Sequence, residues 1–184
     1  YDNIMKTFRQ TFTDYRTQTE LVLAVHSGLA EDLQKTADQL AEKVIVDGKK
    51  LQTGFVGTPY LLHVLSSYGH TDLAYTLLLR TEYPSWLYPV TKGATTIWEH
   101  WDGIMENGDF WSTDMNSFNH YAYGAVADWV YEEAAGLQPA EPGFAKIRIA
   151  PTPDERLAAV EPSLDTRPGR VRSAWCRIGV NGVR

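Results

Sequence analysis

The chain has 184 residues, enough for one domain, or for one domain and part of another, around a sizeable core. Its 43% hydrophobic and 22% charged content excludes wholesale disorder, and no apolar run approaches the roughly 18 residues that a membrane span requires. A formal net charge of −6, with Lys and Arg scattered rather than gathered into a stripe, argues against nucleic acid, so neither a membrane nor a nucleic acid is expected as a partner.

Helices dominate the first three quarters. Leu21, Val25 and Leu29 recur at i, i+4, i+8, so a helix is expected over Thr17 to Ser27, ended by Gly28. In the next helix Glu31 and Asp32 load the first turn with charge suited to the dipole, and Leu33, Ala37, Leu40, Ala41 and Val44 form the apolar stripe up to Asp47-Gly48. Thr53-Gly54-Phe55-Val56-Gly57 then leads to Thr58-Pro59, a cap followed by Pro at the first helical position, which predicts a third helix starting there and closing at Gly69. Thr71 is expected to cap a fourth helix that runs to about Arg80.

From Glu82 to Asn116 periodicity vanishes, and Pro84, Pro89, Gly93, Gly103 and Gly108 punctuate the chain. A loop this long inside a compact domain is uncommon unless it serves a function. Within it lies Thr95-Thr96-Ile97-Trp98-Glu99-His100-Trp101-Asp102-Gly103, a carboxylate between two tryptophans. Indole faces offer flat apolar surface to a sugar ring and thin the water around an acid, the setting in which a carboxyl is tuned for acid or base work. The plainer alternative is a packed loop whose Glu caps a neighbouring helix. The six Trp and ten Tyr, concentrated between Phe55 and Trp129, fit a carbohydrate cleft, although helical cores use the same residues. Beyond the loop, Asn119 is expected to cap a fifth helix with adjacent core rows Tyr121-Ala125-Trp129 and Ala122-Val126-Val130, ended by Gly136.

After Gln138-Pro139-Ala140-Glu141-Pro142-Gly143 the period changes from 3.6 to 2. Lys146 to Ile149 and Arg170 to Arg172 alternate as antiparallel strands, with Thr166-Arg167-Pro168-Gly169 as a turn. The alternation flips near Cys176, which points to a bulge or a local oddity. Asn181-Gly182 signals a hairpin, yet Val183 and Arg184 leave no partner strand, so the chain reads as cut. Cys176 is the single cysteine and excludes an internal disulfide framework; Tyr1-Asp2-Asn3 shows no leader, which would also hold for a processed chain. Compartment and oligomeric state stay open.

Five blocks, in order, resemble a bacterial α-L-rhamnosidase of glycoside hydrolase family 78. They are Thr17-Gln18-Thr19 with Gly28-Leu29, Leu51 to Leu61, Tyr83-Pro84-Ser85-Trp86, Gly93 to Glu99, and Ser117 to Val126. The resemblance implies a mainly α fold, with residues 1–137 as the C-terminal portion of an (α/α)6 catalytic barrel and residues 138–184 as the beginning of a C-terminal β-sandwich. It also implies an inverting hydrolysis that removes terminal α-L-rhamnose from rhamnosides or polysaccharides. Under it Glu99 matches the general base, His120 a sugar-contacting histidine and Trp98 a wall of the same pocket.

The expected partner is a carbohydrate with terminal L-rhamnose. No cofactor is expected, and no His, Cys or Asp cluster stands at metal-ligand spacing. The family's acid-rich motif, which supplies the general acid, is not matched: Asp2, Asp14, Asp32 and Asp38 lie in the wrong contexts. Only about five helices are visible, far fewer than a complete barrel holds, so the chain alone is expected to be inactive. A non-catalytic glycan-binding remnant and another (α/α)6-barrel hydrolase or lyase are the alternatives.

Overall fold

The computed structural model describes residues 17–178 and 182–183, and the chain divides into two compact units that meet in sequence between Ala125 and Val126. The expectations concerning Tyr1-Asp2-Asn3, Asp2 and Asp14 lie outside the described residues.

The first unit is helical, and side-chain caps open its first two helices. Thr17 precedes α1 (Gln18–His26): its hydroxyl accepts the Glu20 N–H at 3.2 Å, and Glu20 takes the Thr17 N–H at 2.9 Å. α2 (Leu33–Val46) is capped by Asp32, whose carboxylate accepts the Lys35 N–H at 2.9 Å; Glu31 and Asp32 therefore precede the first turn instead of filling it.

α3 (Gly54–Ser67) starts at Gly54, not at Thr58. Hydroxyls hold its opening turn, with Thr53 Oγ1 and Thr58 Oγ1 2.7 Å apart and Thr58 Oγ1 donating to the Gly54 carbonyl at 2.5 Å. Pro59 is the sixth residue of this helix, past its first turn, so its missing N–H leaves the Phe55 carbonyl without an i→i−4 donor. α4 (Thr71–Leu78) has His70 at its cap, so Thr71 is its first helical residue, and it ends before Arg80. Arg80 instead turns its guanidinium to the carbonyls of Gly48 and Lys49 at 3.1 and 3.3 Å.

α1 packs against both α2 and α3, and α3 packs against α4. The stripe Ala37, Leu40, Ala41, Val44 follows helical spacing, and Val22, Leu40, Val44, Leu61, Leu65 and Leu77 are wholly buried. Each such Val or Leu contributes roughly 1.5–3 kcal/mol. Gln18, 1% exposed, ties this core to the loop behind α2. Its Nε2 donates to Asp47 Oδ2 and the Lys50 carbonyl, both at 2.9 Å, and its Oε1 accepts the Gln52 N–H at 3.1 Å. Among the described residues no helix is long and apolar enough to cross a membrane.

The stretch from Glu82 to Asn116 is irregular, as expected, apart from α5 (Leu87–Thr91) and a single bridge between Ile104 and Phe110. The fifth helix differs from expectation. It is a 3₁₀ turn (Tyr121–Ala125), then α6 (Val126–Trp129), then a π turn (Val130–Ala134). The ladder is disturbed at the start because the Trp86 indole N–H donates to the Tyr123 carbonyl at 2.9 Å and His120 Nδ1 takes the Ala122 N–H at 3.5 Å. At the far end the Ala135 N–H reaches the Val130 carbonyl at 2.9 Å. Trp129 is core, but Tyr121 is 89% exposed, which corrects the assignment of its whole row to the core. Asn119 donates its own N–H to Ser117 Oγ, and the capping contact comes from His120.

In the second unit β1 (Leu137–Pro139) pairs antiparallel with β2 (Ile147–Ile149). β4 (Ser163–Thr166) and β5 (Gly169–Arg172) form the expected hairpin. β6 (Trp175–Ile178) leaves that pair for β3 (Ala159–Val160), which explains the flip near Cys176 as a change of sheet. β7 (Gly182–Val183) pairs back onto Ile178 and Arg177, correcting the expectation that the Asn181-Gly182 turn had no strand to return to. Asn181 itself lies outside the described residues. Trp175, 4% exposed, anchors the unit by donating its indole N–H to the Ala134 carbonyl at 2.7 Å.

Candidate active site

Two irregular segments are stitched together in the first unit, and they carry the residues singled out from the sequence. The Glu99 N–H donates to the Ser117 carbonyl at 2.9 Å, and the Ser117 N–H donates back to Glu99 Oε2 at 3.2 Å. Alongside, the His120 N–H donates to the Ile97 carbonyl at 2.8 Å, and Thr96 Oγ1 donates to the Phe118 carbonyl. Glu99 and His120, distant in sequence, therefore sit on directly bonded segments. Both are half-buried. The single bond recorded at Oε2 leaves a carboxylate with capacity to accept from water or a hydroxyl.

The tryptophans flanking Glu99 have different settings. Trp98 is 5% exposed, with its ring edge-on to Phe118 at 5.0 Å and 82°. A Cβ on Gly103 would stand 3.1 Å from Trp98 Cε3, Phe118 Cε1 and Asn116 Oδ1, so glycine there admits the indole. The Asn116 amide N–H₂ fastens this corner to the Gly103 carbonyl at 2.8 Å. Trp98 is thus interior to the Glu99 loop. Trp101 is half-buried and stacks on Tyr123 at 3.8 Å and 17°, with Trp86 edge-on to it at 5.5 Å.

Phenols complete the cluster. Burial pushes the Tyr123 hydroxyl above its ordinary range, and neighbouring Tyr83 and Glu99 push it further. Burial likewise raises Tyr83, with Asp102 adding to it. Tyr88 is raised by burial first and then by Glu106, Asp102 and Tyr83; its hydroxyl donates to the Ile104 carbonyl at 3.0 Å. These phenols stay protonated through neutral pH, and they gather near the carboxylates Glu99 and Asp102. Flat rings, neutral hydroxyl donors and a carboxylate acceptor are the groups that bind a sugar and act on its bonds.

Sequence reasoning named Glu99, Trp98 and His120 but missed Phe55, Trp101 and Tyr123. Phe55 lies parallel to the His120 ring at 4.8 Å and 5°, and it tilts against Tyr123 at the same distance. Trp101 was visible only as the second tryptophan flanking Glu99, and Phe55 and Tyr123 only within the crowding of aromatic residues between Phe55 and Trp129. A separate groove, lined by Lys35, Asp38, Glu42 and Ile45 on α2 and by His70 and Leu73, contains none of the three expected site residues. His70 Nε2 and Asp38 Oδ1 meet there at 2.8 Å, and Asp38 is held below the usual carboxylate range chiefly by that bond.

Comparison with known proteins gives two adjacent family matches. Residues 2–134 match the bacterial alpha-L-rhamnosidase 6 hairpin glycosidase domain, and residues 136–182 match the bacterial alpha-L-rhamnosidase C-terminal domain. An alpha-L-rhamnosidase of Streptomyces avermitilis is 43% identical over 161 residues, covering 86% of this chain and 16% of the relative. One from Formosa agariphila is 40% identical over 184 residues, covering 95% and 20%. The crystal structure of the Streptomyces avermitilis alpha-L-rhamnosidase complexed with L-rhamnose superposes with a TM-score of 0.88 at 38% identity, covering 97% of this chain and 19% of that one. The architecture is therefore part of a six-hairpin barrel followed by small antiparallel sheets. The chain spans between 16% and 20% of the length of the curated relatives it matches.

Proposed function

Because the chain belongs to the bacterial α-L-rhamnosidase family, we propose that it forms the general-base part of an enzyme that hydrolyses terminal α-L-rhamnosides with inversion. Glu99 takes a proton from a water molecule as that water's oxygen bonds to the anomeric carbon. The bond from that carbon to the departing oxygen breaks on the opposite face, and a carboxylic acid outside these 184 residues protonates the leaving group. Inverting enzymes hold the two carboxyl groups roughly 6.5–9.5 Å apart to admit the water. His120 bonds a rhamnose hydroxyl, and Trp98 walls the pocket from within the Glu99 loop. In this reading residues 1–137 form the barrel portion and residues 138–184 the beginning of the β-sandwich.

The observation that carries this reading is the double pairing of Glu99 with Ser117 beside the His120–Ile97 bond. It fixes the carboxylate and the imidazole on joined segments next to a cluster of protonated phenols. Loss of a general acid commonly lowers rate roughly 10²–10⁴-fold, so the 184 residues alone are expected to turn over little or nothing. Proton NMR of the full-length enzyme acting on an aryl α-L-rhamnoside tests the reading. β-L-Rhamnose should be the first anomer released. Initial α-L-rhamnose would refute inversion, and release of glucose alone from a panel of aryl glycosides would refute rhamnose as the substrate.

A further inference from the structure

We propose that Phe55 is a positioning residue for His120, and that the Thr53 to Thr58 block anchors it; the inference rests on His120 contacting the sugar. The His120 ring is half-buried and lies on a loop, so its rotation depends on the side chains packed against it. Phe55 covers it face to face, 4.8 Å away and 5° from parallel. His120 Nδ1 accepts the Ala122 N–H at 3.5 Å, so Nε2 is the ring atom through which the imidazole would meet a sugar hydroxyl.

Phe55 is itself 41% exposed, too open to be held by burial alone. Its backbone is what is fixed. Thr19 on α1 donates its hydroxyl to the Thr53 carbonyl at 2.9 Å. The Thr53 and Thr58 hydroxyls meet at 2.7 Å, and Thr58 closes onto the Gly54 carbonyl. Gly54 opens α3 at φ 56°, a conformation that favours glycine. A Cβ on Gly57 would stand 3.0 Å from Thr53 Cβ and 3.3 Å from Thr19 Cα, so glycine lets α3 approach α1. The two residues before Phe55 and the turn after it are thus tied to the helical core, and the ring projects from that rigid base onto the imidazole. Tyr123 tilts against Phe55 as a further support.

A double-mutant cycle in the full-length enzyme tests the assignment, read as L-rhamnose affinity by calorimetry and as turnover of an aryl α-L-rhamnoside. Phe55→Leu should weaken rhamnose binding about 5–10-fold, since small misplacements of a contacting group are costly. His120→Ala should weaken it at least as much, and Phe55→Leu should add less than about twofold in the His120→Ala background. Phe55→Tyr, which keeps the stacked ring, should stay within about twofold of the parent. Fully additive losses, or a loss in His120→Ala with none in Phe55→Leu, would overturn the role of Phe55 while leaving the site intact. Unfolding of Phe55→Leu would also overturn it, by showing a core role. Unchanged binding in His120→Ala would remove the site assignment itself, and Phe55's role with it.

Discussion

Replacing Gln18 by Leu should loosen α1 and α2 far more than a surface glutamine would, because three groups depend on this one buried amide. Leu is close in volume but leaves Asp47 Oδ2, the Lys50 carbonyl and the Gln52 N–H without their partner. A stranded buried polar group costs about 1–3 kcal/mol. These bonds are part-buried, so the lower value applies to each, for a total of about 3 kcal/mol. Asp47 also keeps Lys43, at 2.5 Å, which prevents a larger loss. In hydrogen exchange on the full-length protein, amides of α1 and α2 should then exchange roughly 100–150-fold faster, at 1.4 kcal/mol per factor of ten. Gln34→Ala is the control. Gln34 bonds Asp38 and the Tyr68 carbonyl, but both contacts are exposed, and its loss should stay within about 0.5 kcal/mol. Equal protection changes in the two variants would refute the argument that burial makes Gln18 a hub.

Three further outcomes are expected. Gly103→Ala would press a methyl against Trp98, Phe118 and Asn116 at 3.1 Å; displacing the Glu99 loop should lower turnover more than thermal stability, whose loss by overpacking is about 1–3 kcal/mol, and unchanged turnover would detach Gly103 from the site. Gly136→Ala, at φ 71° with its Cβ 2.1 Å from Pro151 N, should destabilise the second unit by roughly 2–4 kcal/mol, measured as faster amide exchange in β1 and β2. For Asp47, burial raises the carboxyl pKa, but hydrogen bonds from Lys43 and Gln18 and the Lys43 charge outweigh it and leave it lowered. A lowered folded pKa contributes stability that is fully present above the unfolded value near 3.9 and is lost as pH falls through the folded value. Exchange protection at Gln52 should therefore survive at pH 5 and fail only in stronger acid, and loss already at pH 6 would contradict the sign.

Apolar periodicity made α1 and α2 readable in the sequence, through Leu21 with Val25 and through the stripe Leu33 to Val44, whereas the caps at Thr17 and Asp32 emerge only in the structure. The start of α3 was not readable. It is set by Thr19 and Thr58 hydroxyls reaching the Thr53 to Gly54 turn, and bonds from another helix leave no periodic trace. The fifth helix broke for the same reason, because Trp86 and His120 compete for its backbone groups. In the site, Glu99 and His120 stood out through their local sequence blocks. Phe55 did not, because its pairing with His120 exists only after α3 and the loop have been brought together. Trp98 and Trp101 look alike flanking Glu99, yet one is interior against Gly103 and the other stacks on Tyr123.

The most direct test of the general-base assignment is Glu99→Gln in the full-length enzyme. Glutamine keeps an oxygen to accept the Ser117 N–H, so the loop and L-rhamnose binding should persist within about threefold, whereas removing the base should cut turnover of an aryl α-L-rhamnoside about 10²–10⁴-fold. Turnover equal to that of the parent, with binding preserved, would contradict the assignment.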